Sequence, residues 1–331
     1  MSTLKNKKVL VTGATGFIGS HLVQRLIAEG AHVRAMAHYR SESTLHNLEF
    51  LSKDEIQSLD IRRGNVEDSS FVMDCVEGCS TVFHLAALIG IPYSYVAPSS
   101  YVATNIQGTL NILEAARKFG VERVLHTSTS ECYGSAQYVP INESHPLVGQ
   151  SPYSATKISA DKLAESYYLS FDLPVITVRP FNTYGPRQSG RAIISTIISQ
   201  LLTEPKQLEL GSLDPVRDLT YVADTANGFI CAAQAENVFG ETINLGVGSG
   251  VTIGELAKLI MRITGVDLPI KIDDQRVRPE KSEVLKLISD NSKALAKIGW
   301  KPEVTLEQGL MNTVEFVKEN RSFYRPSIYE V

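Results

Sequence analysis

Val9, Leu10 and Val11 run directly into GATGFIG, residues 13–19, and Ile18, Leu22 and Leu26 then recur at helical spacing. A short apolar strand, a glycine turn and an apolar-periodic helix in that order admit few folds. Gly13 permits a tight turn, and Gly16 lets the backbone approach a pyrophosphate. Past Gly19, the opening helix presents oriented N–H groups and partial positive charge to an anion. The pattern predicts a dinucleotide site in which Gly13, Thr15, Gly16, Phe17, Ile18 and Gly19 form the phosphate loop.

The alternation continues. HVRAMA (32–37), TVFHLAA (81–87), RVLHTST (123–129) and VITV (175–178) read as strands, with helices near 103–118 and from 152 to about 170. Strands alternating with helices predict the α/β class, a doubly wound parallel sheet of the Rossmann kind. At 331 residues the chain is long for one core. A dinucleotide-binding part at 1–180 is expected, rejoined by about 222–247, where TINLG (242–246) reads as a returning strand. A smaller, interleaved lobe is expected mainly over 181–331. Two capping boxes, Thr252 with Glu255 and Thr305 with Gln308, should start helices in that lobe.

Composition narrows the function classes. A net charge of −4, from 32 Lys+Arg against 36 Asp+Glu, provides no general basic field for nucleic acid or a membrane surface. An anionic ligand must be met by local arginines. The opening MSTLKNKKVLVTG is polar and holds neither a signal peptide nor a long apolar span, so a cytoplasmic protein is expected. Cys75, Cys79, Cys132 and Cys231 form no paired framework and no zinc set. They read as small core residues in a reducing compartment, and no metal is expected. His84 and His126 lie on apolar strands, as hydrogen-bonded core histidines do.

An acid at the end of the second strand would hold a free ribose 2′-hydroxyl. Here the chain reads Ala37, His38, Tyr39, Arg40, Ser41, so His38 and Arg40 favour NADP over NAD. Asn65 and Val66 follow the next strand as candidates for the adenine, and Leu85, Ala86 and Ala87 as further cofactor contacts. SPYSATK puts Tyr153 and Lys157 one helical turn apart, behind a Ser151 cap and Pro152 at the first position. An ammonium beside a phenol favours the phenolate, which would make Tyr153 a base near neutral pH.

GATGFIG, HLAA (84–87), TNIQGTLNILEAA (104–116), TSTSECYG, YSATK, RPFNTYGPRQ (179–188), RDLTYVAD (217–224) and GWKPEVTLEQGL (299–310) together span the chain. In these it resembles an extended short-chain dehydrogenase/reductase of the NAD(P)-dependent nucleotide-sugar epimerase and dehydratase group. The likeness is greatest to 4,6-dehydratases of legionaminic-acid-type pathways, which act on a nucleotide-activated N-acetylglucosamine.

The resemblance implies a tightly bound, recycled cofactor. Thr129 would hydrogen-bond the sugar 4-hydroxyl while Tyr153, beside Lys157, removes its proton and hydride leaves C4. Dehydratases of the group add an acid two positions after this threonine, and Glu131 stands there. Once C4 is a ketone, a carboxylate can take the acidified C5 proton, and loss of the 6-hydroxyl gives an enone that accepts the hydride at C6. The product is a 4-keto-6-deoxy sugar. Many members carry Asp-Glu where this chain has Ser130-Glu131; the Ser-Glu type of GDP-mannose 4,6-dehydratase implies that Glu131 shuttles the second proton itself.

For the diphosphate, the likeness points to Arg217 and Arg278; Asn182 and Arg191 are further candidates for the substrate, and Arg187, Arg191 and Arg276 suit surface or interface pairs equally. Tyr184 and Tyr221 read as packing residues. The family also implies a homodimer through the Tyr153 helix and the helix near 103–118. An NDP-hexuronate decarboxylase, an NDP-sugar 4-epimerase and a non-catalytic NAD(P)-binding sensor remain the alternatives, and GDP and UDP donors stay equally open.

Overall fold

The computed structural model describes residues 4–41, 44–203, 206–276 and 282–324. Its centre is a seven-stranded parallel sheet. β1 (Lys8–Thr12) lies between β2 (His32–Ala37) and β4 (Thr81–His84), with Val11 level with Ala35 and Phe83. β3 (Asp60–Arg63) extends one edge beyond β2; β5 (Arg123–Thr127), β6 (Val175–Pro180) and the Thr242–Leu245 strand extend the other. The strand order therefore reverses between β1 and β4. In such sheets a crevice opens at the carboxyl ends of those two strands, and ligands occupy it.

The central strands are apolar along their length because both faces are covered. All four β4 residues and all six of β6 are buried. Leu22, Leu26, Phe229 and Trp300 pack on one face, and Ile112, Leu113, Ala116 and Tyr167 on the other. A further core joins Tyr184, Ile197, Ile198, Leu256, Ile260, Leu310 and Val314. Tyr184 is 1% exposed and donates to Leu306 O at 3.1 Å, with Tyr221 edge-on, so both tyrosines pack as the sequence predicts.

Three local expectations need correction. The TVFHLAA strand stops at His84, because the N–H groups of Leu85 and Ala86 turn to the Thr12 hydroxyl, each at 3.0 Å. The helix near 103–118 continues an earlier one (Pro98–Tyr101) through a π stretch, Val102–Gln107, before the regular Gly108–Phe119 segment. The π stretch seats Asn105, 1% exposed, whose amide ties Leu88 to Thr156 on the next helix. Thr305 caps its helix alone: Gln308 reaches forward to Asn312 rather than back, whereas Thr252 and Glu255 form the full reciprocal box. Among the described residues, no helix is long and apolar enough to cross a membrane, and all four cysteines are free thiols.

Candidate active site

At the end of β1 the chain turns through Gly13 at φ +66°, where a side chain would place Cβ 2.9 Å from Ala86 N. A Cβ on Gly19 would stand 2.1 Å from Gly13 O. Neither position has room for any other residue, and this is what holds loop, helix and the 85–87 segment close together. The Phe17–Ala28 helix starts behind Gly16 with no side-chain cap, so its first N–H groups are left for a ligand. These features fit a dinucleotide pyrophosphate. Thr15 and Phe17 are half-buried at the same turn, while Ile18 packs against the core.

The hydrogen-bond sequence around His84 fixes this loop further. Thr12 Oγ1 already accepts from Leu85 and Ala86, so its single proton goes to His84 Nδ1 at 2.9 Å. The ring therefore carries its own proton on Nε2 and donates it to Thr109 Oγ1 at 3.0 Å. His38 and Arg40 are exposed just beyond β2, and Asn65 is exposed at the start of a turn. Val66 differs: its side chain is buried against Gly108, leaving its backbone as what it can offer the adenine.

At the end of β5, Thr129 caps a short 3₁₀ turn, Ser130–Tyr133, by accepting from Glu131 N at 3.3 Å. Ser130 is 2% exposed; Glu131 is half-buried, and its charge acts on the phenol of Tyr153. That phenol also hydrogen-bonds Thr129, and Tyr101 packs edge-on against its ring at 6.3 Å. Tyr153 and Lys157 sit at 7% and 4% exposure on the Pro152–Phe171 helix, which Ser151 caps and Pro152 opens. Local spacing thus sets each pair, and the packing of this helix against the end of β5 brings Thr129 and Glu131 to Tyr153 and Lys157.

The expected electrostatics do not follow. Burial pushes the Tyr153 phenol well above its ordinary value, with the Thr129 hydrogen bond opposing. The ammonium donates to Thr127 O at 2.6 Å, and burial lowers its own pKa. Burial therefore favours the neutral phenol at this position.

Behind this set lies a buried ionic cluster. Asp161, one turn past Lys157, accepts from His126 Nε2 at 2.9 Å through one oxygen; the other accepts from Ser128 Oγ at 2.6 Å and an Arg179 amino group at 2.7 Å. Arg179 also donates to Ser128 at 3.0 Å and lies 4.7 Å over the Tyr133 ring. His126 and surrounding cations hold the Asp161 carboxyl well below the usual range despite burial, which acts the other way. Ser128, Asp161 and Arg179 were not singled out from sequence. The available signal was a carboxylate at Lys157+4, on the face that already carried the Tyr/Lys pair.

Among the substrate candidates, Asn182 is half-buried, with its Oδ1 buried and unpartnered among the described residues. Arg191 is exposed, and its charge acts on the Tyr101 phenol. Arg217 is buried and pairs with Glu283 at 3.0 Å. Arg276 pairs locally with Asp273, and Arg278 lies outside the described residues. Arg187 is no surface residue: at φ +68° it is buried over Phe50 at 5.9 Å and donates to Gln24 at 2.9 Å, clamping its loop to the first helix.

A model of the family described as GDP-mannose 4,6 dehydratase matches residues 10–313. The chain belongs to that family. The dTDP-glucose 4,6-dehydratase of Actinoplanes sp. is 32% identical over 96% of this chain and 99% of that protein. The UDP-glucose 4-epimerase of Mycolicibacterium smegmatis is also 32% identical, over 94% and 98%. The crystal structure of DesIV, a dTDP-glucose 4,6-dehydratase from Streptomyces venezuelae with NAD bound, superposes with a TM-score of 0.86 at 31% identity, covering 96% and 99%. The chain is thus an enzyme of the NAD-dependent nucleotide-sugar dehydratase and epimerase group. Dehydratases and epimerases resemble it equally, so the choice between them rests on the site.

Proposed function

We propose that this family member is a nucleotide-sugar 4,6-dehydratase acting on GDP- or UDP-N-acetylglucosamine. The observation that carries the reading is Glu131: a carboxylate in a turn pinned by Thr129, electrostatically coupled to the Tyr153 phenol, with no hydrogen bond or ion pair to its side chain among the described residues. A 4-epimerase needs the Thr129/Tyr153 pair and has no use for this acid.

In this scheme Thr129 orients the 4-hydroxyl and Tyr153 takes its proton. When bound, the nicotinamide cofactor accepts the C4 hydride and later returns it to C6. Glu131 removes the C5 proton and passes it to the 6-hydroxyl, which departs as water. Ser130 is a far weaker acid than a carboxyl group, so one residue serves both ends of that transfer. The balance leaves one proton on Tyr153 and one needed at C5, and an emptied Glu131 can carry the replacement.

Incubating the purified protein with GDP- and UDP-N-acetylglucosamine and weighing the product tests the reading. Loss of one water from either is expected and selects the nucleotide. Unchanged mass with inversion at C4 would make it an epimerase; carbon dioxide loss from an NDP-hexuronate would make it a decarboxylase.

The cofactor reading follows from the exposed Arg40 and His38 and the missing acid after β2. NADP should bind more tightly than NAD, and Arg40→Ala should weaken NADP by about tenfold, the scale of one charge-assisted contact, while sparing NAD. Titration calorimetry with both nucleotides checks this; equal losses for the two would remove the 2′-phosphate contact.

A further inference from the structure

Lys157 is buried at 4% exposure, and the one hydrogen bond of its ammonium among the described residues goes to the uncharged carbonyl of Thr127. An isolated buried ammonium is costly unless a counter-charge stands near. One turn along the same face, Asp161 has both oxygens engaged by donors from two strands: His126 on β5, Ser128 just past its end, and Arg179 on β6. A carboxylate receiving three donors is ionised.

We infer that Asp161 is a positioning residue: clamped by Arg179, His126 and Ser128, its carboxylate is the counter-charge that keeps the Lys157 ammonium in place beside Tyr153. The same clamp ties the strand end bearing Thr129 to the helix bearing Tyr153. This rests on the assignment of Lys157 to the catalytic set.

The charge arithmetic supports it. Lys157 and Arg179 against Asp161 leave one surplus positive charge in the buried cluster, and an ionised Tyr153 would neutralise it. The half-buried Glu131 carboxylate faces the Tyr153 phenol from the solvent side of the set and opposes its ionisation; the remaining titratable groups facing the buried cluster do not alter the sum. His126 bonds Asp161 through a proton on Nε2, and its Nδ1 is buried without a partner, so the ring is neutral. His84 is adjacent at 5.9 Å and neutral by its own hydrogen bonds. Cys132 stays a thiol, pushed up to about 12 by burial, and Tyr133 under Arg179 is raised likewise. On the outer side, a cavity of about 530 Å³ reaches Asp161 and Arg179 and is walled by Glu143 and His145, with Lys162 and Glu165 on its helical side. Glu143 is engaged by Asn244 N, and Lys162 pairs with Glu165.

The test is a pH titration of protein carrying ε-carbon-13 lysine, with the Lys157 resonance assigned by its loss in Lys157→Arg. In Asp161→Asn, which keeps the shape and loses the charge, the Lys157 midpoint should fall by about one pH unit or more. The alkaline limb of C4 oxidation, followed by cofactor reduction, should move with it. A folded Asp161→Asn with an unchanged midpoint overturns the inference. If that variant does not fold, Asp161→Asn/Arg179→Met removes the pair as a neutral unit; the Lys157 midpoint should still fall, by less, because Asp161 stands one turn from Lys157 on the same helix, and an unchanged midpoint there overturns the inference. The titration needs no turnover, so a protein that fails to dehydrate any sugar refutes the proposed reaction without touching this result.

Discussion

Glu131→Gln should lower formation of the 4-keto-6-deoxy product by about 10³-fold, within the range that a lost acid/base group costs, and leave C4 oxidation largely intact. The two effects separate because the machinery is separate. In the proposed reaction, oxidation rests on the paired Thr129 and Tyr153, which the Glu131 side chain reaches only through its charge. Glutamine preserves the backbone N–H that Thr129 accepts, so the turn survives. The variant should therefore accumulate reduced cofactor when a nucleotide sugar is added, where the parent enzyme recycles it. In heavy water the parent should place deuterium at C5 of its product, and the variant should not. Undiminished water loss in Glu131→Gln would sink the assignment, and unaltered C4 inversion in both proteins would establish an epimerase.

Much of this site is legible in the sequence because its parts are local. The glycine loop and its helix lie within twenty residues, and the Tyr153/Lys157 spacing fixes a shared helical face whatever surrounds it. Glu131 follows Thr129 by two residues, so the turn that joins them is a local matter too. What escapes is set by strands brought together from afar. Arg179 meets Asp161 only because β6 lies beside β5 and under the helix, and Ser128 completes the clamp from a strand end separated from Arg179 by more than a full crossover. The sign of the Tyr153 shift escaped for a related reason: spacing places an ammonium nearby, but burial, a property of the assembled fold, outweighs it. Arg187 looked like a surface cation because its left-handed backbone and its stacking on Phe50 have no sequence marker.

Acid should unfold this enzyme well before its carboxylates titrate, because three histidines are held neutral in the folded chain. Burial and the nearby Arg187 charge lower His21 to about 4, and burial lowers His84 and His126 as well. The hydrogen bonds explain why the last two resist. A proton on His84 Nδ1 would meet the Thr12 hydroxyl proton, and one on His126 Nδ1 would be a buried donor with nothing to accept it. In the unfolded chain each ring takes a proton near about pH 6.5. Their folded pKa values are lower, so the unfolded state binds more protons below that pH, and stability falls as the pH drops. His21 and His84 together give a slope approaching about 3 kcal/mol per pH unit and a loss of up to about 4 kcal/mol by about pH 5, to which His126 adds in the same direction, a large part of the whole stability of many domains. The depressed Asp161 carboxyl acts lower down: its contribution is present above its unfolded pKa of about 3.9 and disappears as the pH falls further. Urea unfolding at intervals between neutrality and mild acid, with proton uptake counted from the slope, checks both the size and the window. His126→Gln, which keeps a donor toward Asp161, should reduce that uptake. Stability that stays level across the same range would mean that the rings are charged in the folded enzyme, and the neutral cluster behind Lys157 would have to be redrawn.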